Sequence, residues 1–305
     1  MFDYSYTVAY ISAKETSILS KDALSRMAAD KSDALRLLAQ SGYGGGEAAD
    51  ISGLTDKELS ALREFIMGCM PAPMYSLLIL PYDAHNLKVL LKCRINKADP
   101  APYLYDNTVY DTEIAAACCR GGEFSLLSEN IAKILNPAYD SGLLNLPFGI
   151  STETDRAFYT EISAQSKSAP KEIAAYIGAE IDGKNFMSYY RAKNVGLDAA
   201  ALSSLLLPGG ALDESVFMAA YAADADDFRQ YTFGCDVHDA FTAAAEAIKR
   251  SPSEACDVLD KYALSKLEPY KYEPQSPVPI FLYFKKKTAE ARHVREIFGG
   301  NGGVQ

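Results

Sequence analysis

No apolar run in the 305-residue chain approaches the roughly 20 residues that span a bilayer. The most compact apolar segment, Leu77-Leu-Ile-Leu80, has the length of a core element. The opening residues, Met1-Phe-Asp-Tyr-Ser-Tyr, carry neither the basic region nor the apolar stretch of a secretory signal. The expectation is a chain kept in the cytoplasm, with no direct transmembrane segment. Positive charge is also short. Thirty Lys and Arg stand against 40 Asp and Glu, a formal net charge of −10. That balance argues against nucleic acid as the main partner, because phosphate binding needs a basic surface. It disfavours adsorption on anionic lipid as well, and is more compatible with basic partners. The six cysteines, Cys69, Cys93, Cys118, Cys119, Cys235 and Cys256, are scattered, several among apolar residues, and read as reduced, packed thiols. Convincing alternating strands are absent, so the pattern is all-α.

The chain is long enough for two or three domains. Residues 4–40 read as helical, and Gly42-Tyr-Gly-Gly-Gly46 breaks the pattern. Thr55-Asp-Lys-Glu58 reads as a capping box opening a helix through about Met67. Pro71 and Pro73 open a segment over 74–80, followed by a helix over 83–96 and a linker at Lys97–Pro102. Further helices are expected near 109–119, 123–136, 152–167 and 171–181, with a loop from Asn136-Pro137 to Gly149. After the turn at Leu205–Leu212 come helices near 213–222, 224–232, 236–249, 253–267 and 280–298. Gly299–Gly303 reads as a frayed tail.

What organises this series is a recurring pattern. Asp83-Ala-His-Asn86-Leu87 returns as Asp182-Gly-Lys-Asn185-Phe186, and more faintly as Glu290-Ala-Arg-His293-Val294. The copies lie 99 and 108 residues apart, too far for a short solenoid repeat. The spacing fits a domain of about 100 residues used three times, with limits at 1–104, 105–207 and 208–305. Locally, an acid that follows Tyr82 or Ile181 and precedes Leu87 or Phe186 has the spacing of an N-cap with a hydrophobic staple. Asp83, Asn86, Asp182, Asn185, Glu290 and His293 are therefore expected to mark helix starts, either as plain punctuation or as a family signature. The basic residues that follow have two readings. Lys92, Arg94, Arg191 and Lys193 compensate the negative end of their helix dipoles, or they meet an acidic partner, with Arg94, Arg191 and Lys193 as the candidate contacts.

Familiar chemical motifs are not supported. Gly178-Ala-Glu-Ile-Asp-Gly183-Lys184-Asn185 nearly spells a phosphate-binding loop, but Asn185 lacks the hydroxyl that binds magnesium and the preceding segment reads as helix. Cys235-Asp-Val-His238 has metal-ligand spacing, and Cys256 offers a third donor, but a zinc site needs about four. Nothing in the sequence forms a nucleophile elbow or a dinucleotide fingerprint. No catalytic, cofactor-binding or metal residue is assigned.

The order of the motifs resembles a known family. Tyr6-Thr-Val-Ala-Tyr10-Ile-Ser-Ala-Lys14 with Leu19-Ser20 looks like its opening helix. Asp83 through Arg94, Leu143 to Tyr159, Ile181-Asp182 through Lys193, and Leu207-Pro208-Gly209-Gly210-Ala-Leu212 follow its pattern. The family is the C subunit of archaeal and bacterial V/A-type ATPases, equivalent to the d subunit of eukaryotic V-ATPase. Phe186 and Tyr189-Tyr190 stand where aliphatic residues are commoner, and His293 replaces Asn. The resemblance implies three similar all-helical domains in a pseudo-threefold funnel. It implies a non-catalytic rotor adaptor, peripherally attached to the membrane, that joins the central shaft, made of the D and F subunits, to the membrane rotor ring of proteolipid subunits. Such an adaptor serves ATP-driven proton or sodium-ion transport, or ATP synthesis. The alternative is an all-helical repeat scaffold for protein–protein interaction outside the ATPase.

Overall fold

A computed structural model of the chain describes residues 3–46 and 50–298. The glycine-rich tail lies outside the described residues. The described chain is all-α, with short 3-10 turns and no strand. In chain order the helices are α1 (Ser5–Lys14), α2 (Lys21–Ala29), α3 (Lys31–Gln40), α4 (Ile51–Cys69), α5 (Ala72–Asn96), α6 (Thr112–Gly121), α7 (Glu129–Asp140) and α8 (Pro147–Ser166). They continue as α9 (Lys171–Val195), α10 (Ala199–Leu205), α11 (Glu214–Ala222), α12 (Arg229–Thr232), α13 (His238–Ile248), α14 (Pro252–Leu264) and α15 (Val278–Phe298).

Two compact units divide the chain, and one is discontinuous. The first joins the described residues up to Leu78 with those from Tyr270 on, and the second runs from Ile79 to Pro269. In the first unit α15 packs against α4, α1 and α2. Val278 to Phe284 are all buried, so the start of α15 is apolar all round, as a central helix requires. Met27, Leu38, Tyr43, Leu54 and Val294 close this core.

In the second unit α9 is central, in contact with α8, α10, α11 and α14, while α13 pairs with α14 and α7 with α8. Its core is aromatic. Phe186 lies 4.7 Å from Phe241 between ring centroids, and Tyr189 lies 4.7 Å from Phe228. Phe186 and Tyr189, the residues that depart from the commoner aliphatic pattern, are thus the centre of that core. Gly178 and Gly183, which had the spacing of a phosphate loop, lie inside α9. A Cβ on Gly183 would stand 3.3 Å from the Leu259 side chain, so this glycine serves close packing against α14.

Several local expectations change. Residues 74–80 and 83–96 form one helix, with Pro81 inside it. The missing Pro81 N–H and the ring clash cost roughly 3 kcal/mol. Leu77, Leu78, Ile79 and Leu80 are each 3% exposed or less, and burying each stabilises by roughly 1.5–3 kcal/mol, so burial wins. Likewise α7 runs through Pro137, where a loop was expected. The capping box at Thr55 is not a helix start, because α4 begins earlier, with the Asp50 carboxylate accepting from the Gly53 N–H at 2.7 Å.

The six signature residues are not at helix starts either. Asp83 and Asn86 lie within α5, Asp182 and Asn185 within α9, Glu290 and His293 within α15. The staple spacing around the acids is real, but Leu87, Ile181, Phe186 and Val294 are buried because each is part of a core helix. The acids do cap backbone, as the next section describes, but in another part of the chain.

Candidate functional site

Asn86 and Asp83 grip the loop that follows their own helix. The Asn86 side-chain amide donates to the Tyr105 carbonyl at 2.8 Å and accepts from the Tyr105 N–H at 2.8 Å. The Asp83 carboxylate, one turn away, accepts from the Val109 N–H at 3.0 Å and the Tyr110 N–H at 2.9 Å. The loop ends at Asp111, whose carboxylate caps α6 by accepting from Glu113 and Ile114 N–H. Two side chains on one helix face therefore satisfy four backbone groups of a half-buried loop, groups that would cost up to roughly 1–3 kcal/mol each if left unpaired.

The second copy repeats the arrangement. Asn185 donates to the Leu207 carbonyl at 3.0 Å and accepts from its N–H at 2.7 Å. Asp182 accepts from the Ala211 N–H at 3.2 Å and the Leu212 N–H at 3.1 Å. Asp213 then caps α11. In both copies the peptides held by Asp follow the peptide clasped by Asn by four and five residues. The Pro208-Gly-Gly210 turn is explained by the same contact. Gly209 has φ +93°, and a Cβ on Gly210 would stand 2.2 Å from Asp182 Oδ1. Only glycine lets this loop lie against the carboxylate.

The third copy closes on the beginning of the chain. Glu290 accepts from the Leu19 N–H at 2.6 Å, and Ser20 next to it caps α2 by accepting from the Ala23 N–H. The received N–H thus precedes the N-cap residue in all three copies, as Tyr110 precedes Asp111 and Leu212 precedes Asp213. His293 replaces the amide here. An imidazole holds its donor and acceptor on diverging edges and cannot clasp both the N–H and the carbonyl of one residue. Glu290 is supported instead by Lys287, at 2.6 Å, which also reaches Glu58 at 2.7 Å. Lys287 lies over the Tyr43 ring, 4.8 Å from its centroid.

Burial dominates the electrostatics of the acids. It pushes Asp83 up to about 7, against the pull of the Tyr110 and Val109 N–H groups. Asp182 is likewise pushed up to about 7 by burial, with Leu212 and Ala211 opposing. Burial also raises Glu290, against the neighbouring Lys287.

The basic candidates separate into two kinds. Arg94 donates to the Cys119 carbonyl at 2.5 Å, the Leu144 carbonyl at 3.2 Å and Asn145 Oδ1 at 3.1 Å, and lies over the Tyr139 ring. Lys193, its equivalent 99 residues on, donates to the Asp224 and Ala225 carbonyls, both at 2.9 Å, and to Asp226 at 3.0 Å. Each ties its helix to the end of the helix after the clamp, α6 or α11. Arg191 is exposed and makes no hydrogen bond or ion pair among the described residues.

Elsewhere, His238 Nδ1 lies 3.2 Å from the Thr232 hydroxyl, and Cys235 is exposed. Among the described residues no group of three or more His, Cys, Asp or Glu is placed to hold a metal ion. No described helix is long and apolar enough to cross a membrane. The sequence singles out the Leu207–Leu212 turn and Leu19-Ser20 as motifs, but not their role, or that of the loop at 105–110, as receivers of the clamps. Their one local signal is an apolar residue directly before an N-cap Asp or Ser.

Taken together, the fold and the clamps define an all-helical protein whose buried polar groups hold backbone in place. The chain belongs to the ATP synthase (C/AC39) subunit family, which it matches over residues 7–301. It is accordingly a non-catalytic component of a rotary ATPase. The chain is 23% identical to the C subunit of the A-type ATP synthase of Methanosarcina acetivorans, across 98% of this chain and 89% of the relative. It is 20% identical to the protein of the same description from Thermococcus onnurineus, across 96% and 85%. A third relative so described, from Thermococcus kodakarensis, is 20% identical across 81% and 70%.

Proposed function

We propose that the chain is the central-rotor adaptor of a V/A-type ATPase. It sits on the cytoplasmic side of the membrane, attached peripherally, and couples the D/F shaft to the membrane rotor ring. In that position it serves ATP-driven proton or sodium-ion transport, or ATP synthesis. Three similar helical domains, one for each signature copy, form a pseudo-threefold funnel that receives the shaft. The observation that supports this reading is the recurrence of one clamp, with the same order of received peptides, in α5 and α9. An adaptor that transmits torque needs loops fixed to its helices, and the clamps supply such fixation. Among the candidate contacts Arg94, Arg191 and Lys193, Arg191 is the one offered to a partner, whereas Arg94 and Lys193 serve the chain's own backbone.

The test is co-purification of the tagged chain from native membranes in mild detergent, followed by mass spectrometry. The expected result is recovery of the catalytic, shaft and ring proteins in fixed ratio. Recovery of the chain alone, or with unrelated proteins, from an extract containing intact ATPase would refute the adaptor role.

A further inference from the structure

The two ends of the α2–α3 pair are fastened to the rest of the first unit through one buried ammonium. At one end the Leu19 N–H, just before α2, donates to Glu290 Oε2 at 2.6 Å. At the other the Gly44 N–H, in the 3-10 turn Tyr43–Gly46 that follows α3, donates to Glu58 Oε2 at 2.8 Å. The remaining oxygen of each acid goes to Lys287. Glu290 Oε1 lies 2.6 Å and Glu58 Oε1 2.7 Å from its Nζ. Glu290 and Lys287 belong to α15, and Glu58 to α4. One cation thus orients both carboxylates, and each carboxylate holds one end of the segment.

Lys287 is buried, with its ammonium over the Tyr43 ring. Burial acts to lower its pKa, but Glu290 and Glu58 outweigh burial and hold it above the usual lysine value. Without that charge the buried Glu290 would face Glu58 across the gap the ammonium leaves, and like charges at that range repel. Gly44 has φ +59°, and a Cβ there would collide with the Leu54 carbonyl, so the turn lies flush against α4.

Between its two ties the segment has little else to hold it. Among the described side chains of residues 19–44, those buried are Met27, Ala34, Leu38 and Tyr43, which share a core with Leu54 and Val294. A segment with so few buried apolar contacts opens at a lower free energy than the core it covers. The start of α15, buried from Val278 to Phe284, belongs to that core.

We propose that residues 19–44 form a strap that seats and releases as one unit, with Lys287 as the latch common to both ends. Losing one tie frees its acid, the ammonium shifts with it, and the other acid loses the cation that orients it. Release uncovers Leu54 on α4 and Val294 on α15, while the buried start of α15 stays packed.

Native-state hydrogen exchange of the full-length chain, read at single amides over a range of urea below the unfolding transition, tests the strap. In the wild type, Leu19 and Gly44 are expected to exchange through one opening, with the same free energy and the same dependence on urea, both below those of the buried Leu282 in α15. Glu58→Ala removes the acceptor of Gly44 but is expected to speed exchange at Leu19 as well. Glu290→Ala removes the acceptor of Leu19 but is expected to speed Gly44. Each cross-effect should be at least roughly tenfold, and Lys287→Met should accelerate both amides together. Leu282 and, in the second unit, Leu207 should keep their wild-type rates. Effects confined to the amide that each acid contacts overturn the proposal. Equal acceleration at Leu282 also overturns it, because the whole first unit then opens and no separate strap exists. Should the variants fail to fold, the wild-type urea series decides, and different free energies or slopes at Leu19 and Gly44 overturn the common latch.

Discussion

The Glu290 carboxylate takes a 2.6 Å hydrogen bond from the Leu19 backbone N–H, across 271 residues of sequence. The bond fastens the start of the chain to its last helix. Removing the carboxylate leaves the Leu19 N–H unpaired and Lys287, 3% exposed, with one acid in place of two. Glu290→Ala is expected to destabilise the protein by about 3 kcal/mol. Urea denaturation checks the loss, and hydrogen exchange should show faster exchange at the Leu19 amide.

Asn86 and Asn185 should respond alike. Alanine at either position leaves a backbone N–H and carbonyl unsatisfied, at an expected cost of about 2–4 kcal/mol. Aspartate keeps an acceptor but loses the donor and adds buried charge, so Asn86→Asp and Asn185→Asp should be no milder than alanine. Denaturation midpoints of the four variants decide this. An aspartate variant as stable as wild type would show that the reciprocal pair is not what holds the loop.

Stability should also depend on the protonation of Asp83 and Asp182. Each is raised from 3.8 to about 7 in the folded state. The folded protein therefore holds protons that the unfolded chain releases between about 4 and 7. Their contribution is fully present below about 4 and is lost as pH rises through about 7. Asp83→Asn and Asp182→Asn should flatten this slope. Chemical denaturation between pH 5 and 8 gives the comparison, and parallel curves for wild type and variants would contradict the raised values.

At the second clamp, Gly210→Ala places a Cβ 2.2 Å from Asp182 Oδ1. The expected loss is about 1–3 kcal/mol. Gly234→Ala is the comparison, because Gly234 has positive φ, +77°, which Gly210 does not, while a Cβ there meets nothing within 4 Å. Its loss should be limited to backbone strain of about 1–2 kcal/mol. Thermal melts of the two proteins separate close approach from conformation.

The sequence makes the fold class and the signature positions legible, because helical periodicity and the spacing of like residues are local properties. It misleads about what the signature does. A buried Asp between Tyr82 and Leu87 looks the same whether it caps its own helix or a loop 26 residues on. The choice depends on whether the helix continues upstream, and Pro81 masks that continuation, which only the burial of Leu77–Leu80 makes favourable. Glu290 has still less to show, since its partner lies at the other end of the chain. Arg94 and Lys193 look like free surface cations because the carbonyls that take up their hydrogen bonds belong to segments distant in sequence.

The closure of Glu290 on Leu19 also sets an order of events during synthesis. The clamp at Asp83 finds its loop within 27 residues and the one at Asp182 within 30. Leu19 must wait until 271 more residues have been made. At roughly 5–20 residues per second, that wait is on the order of tens of seconds. The segment from Ile79 to Pro269 can complete its own core while the N-terminal helices still lack α15. The helices on the N-terminal side of the second unit are therefore translated before it but completed after it, once α15 has been made.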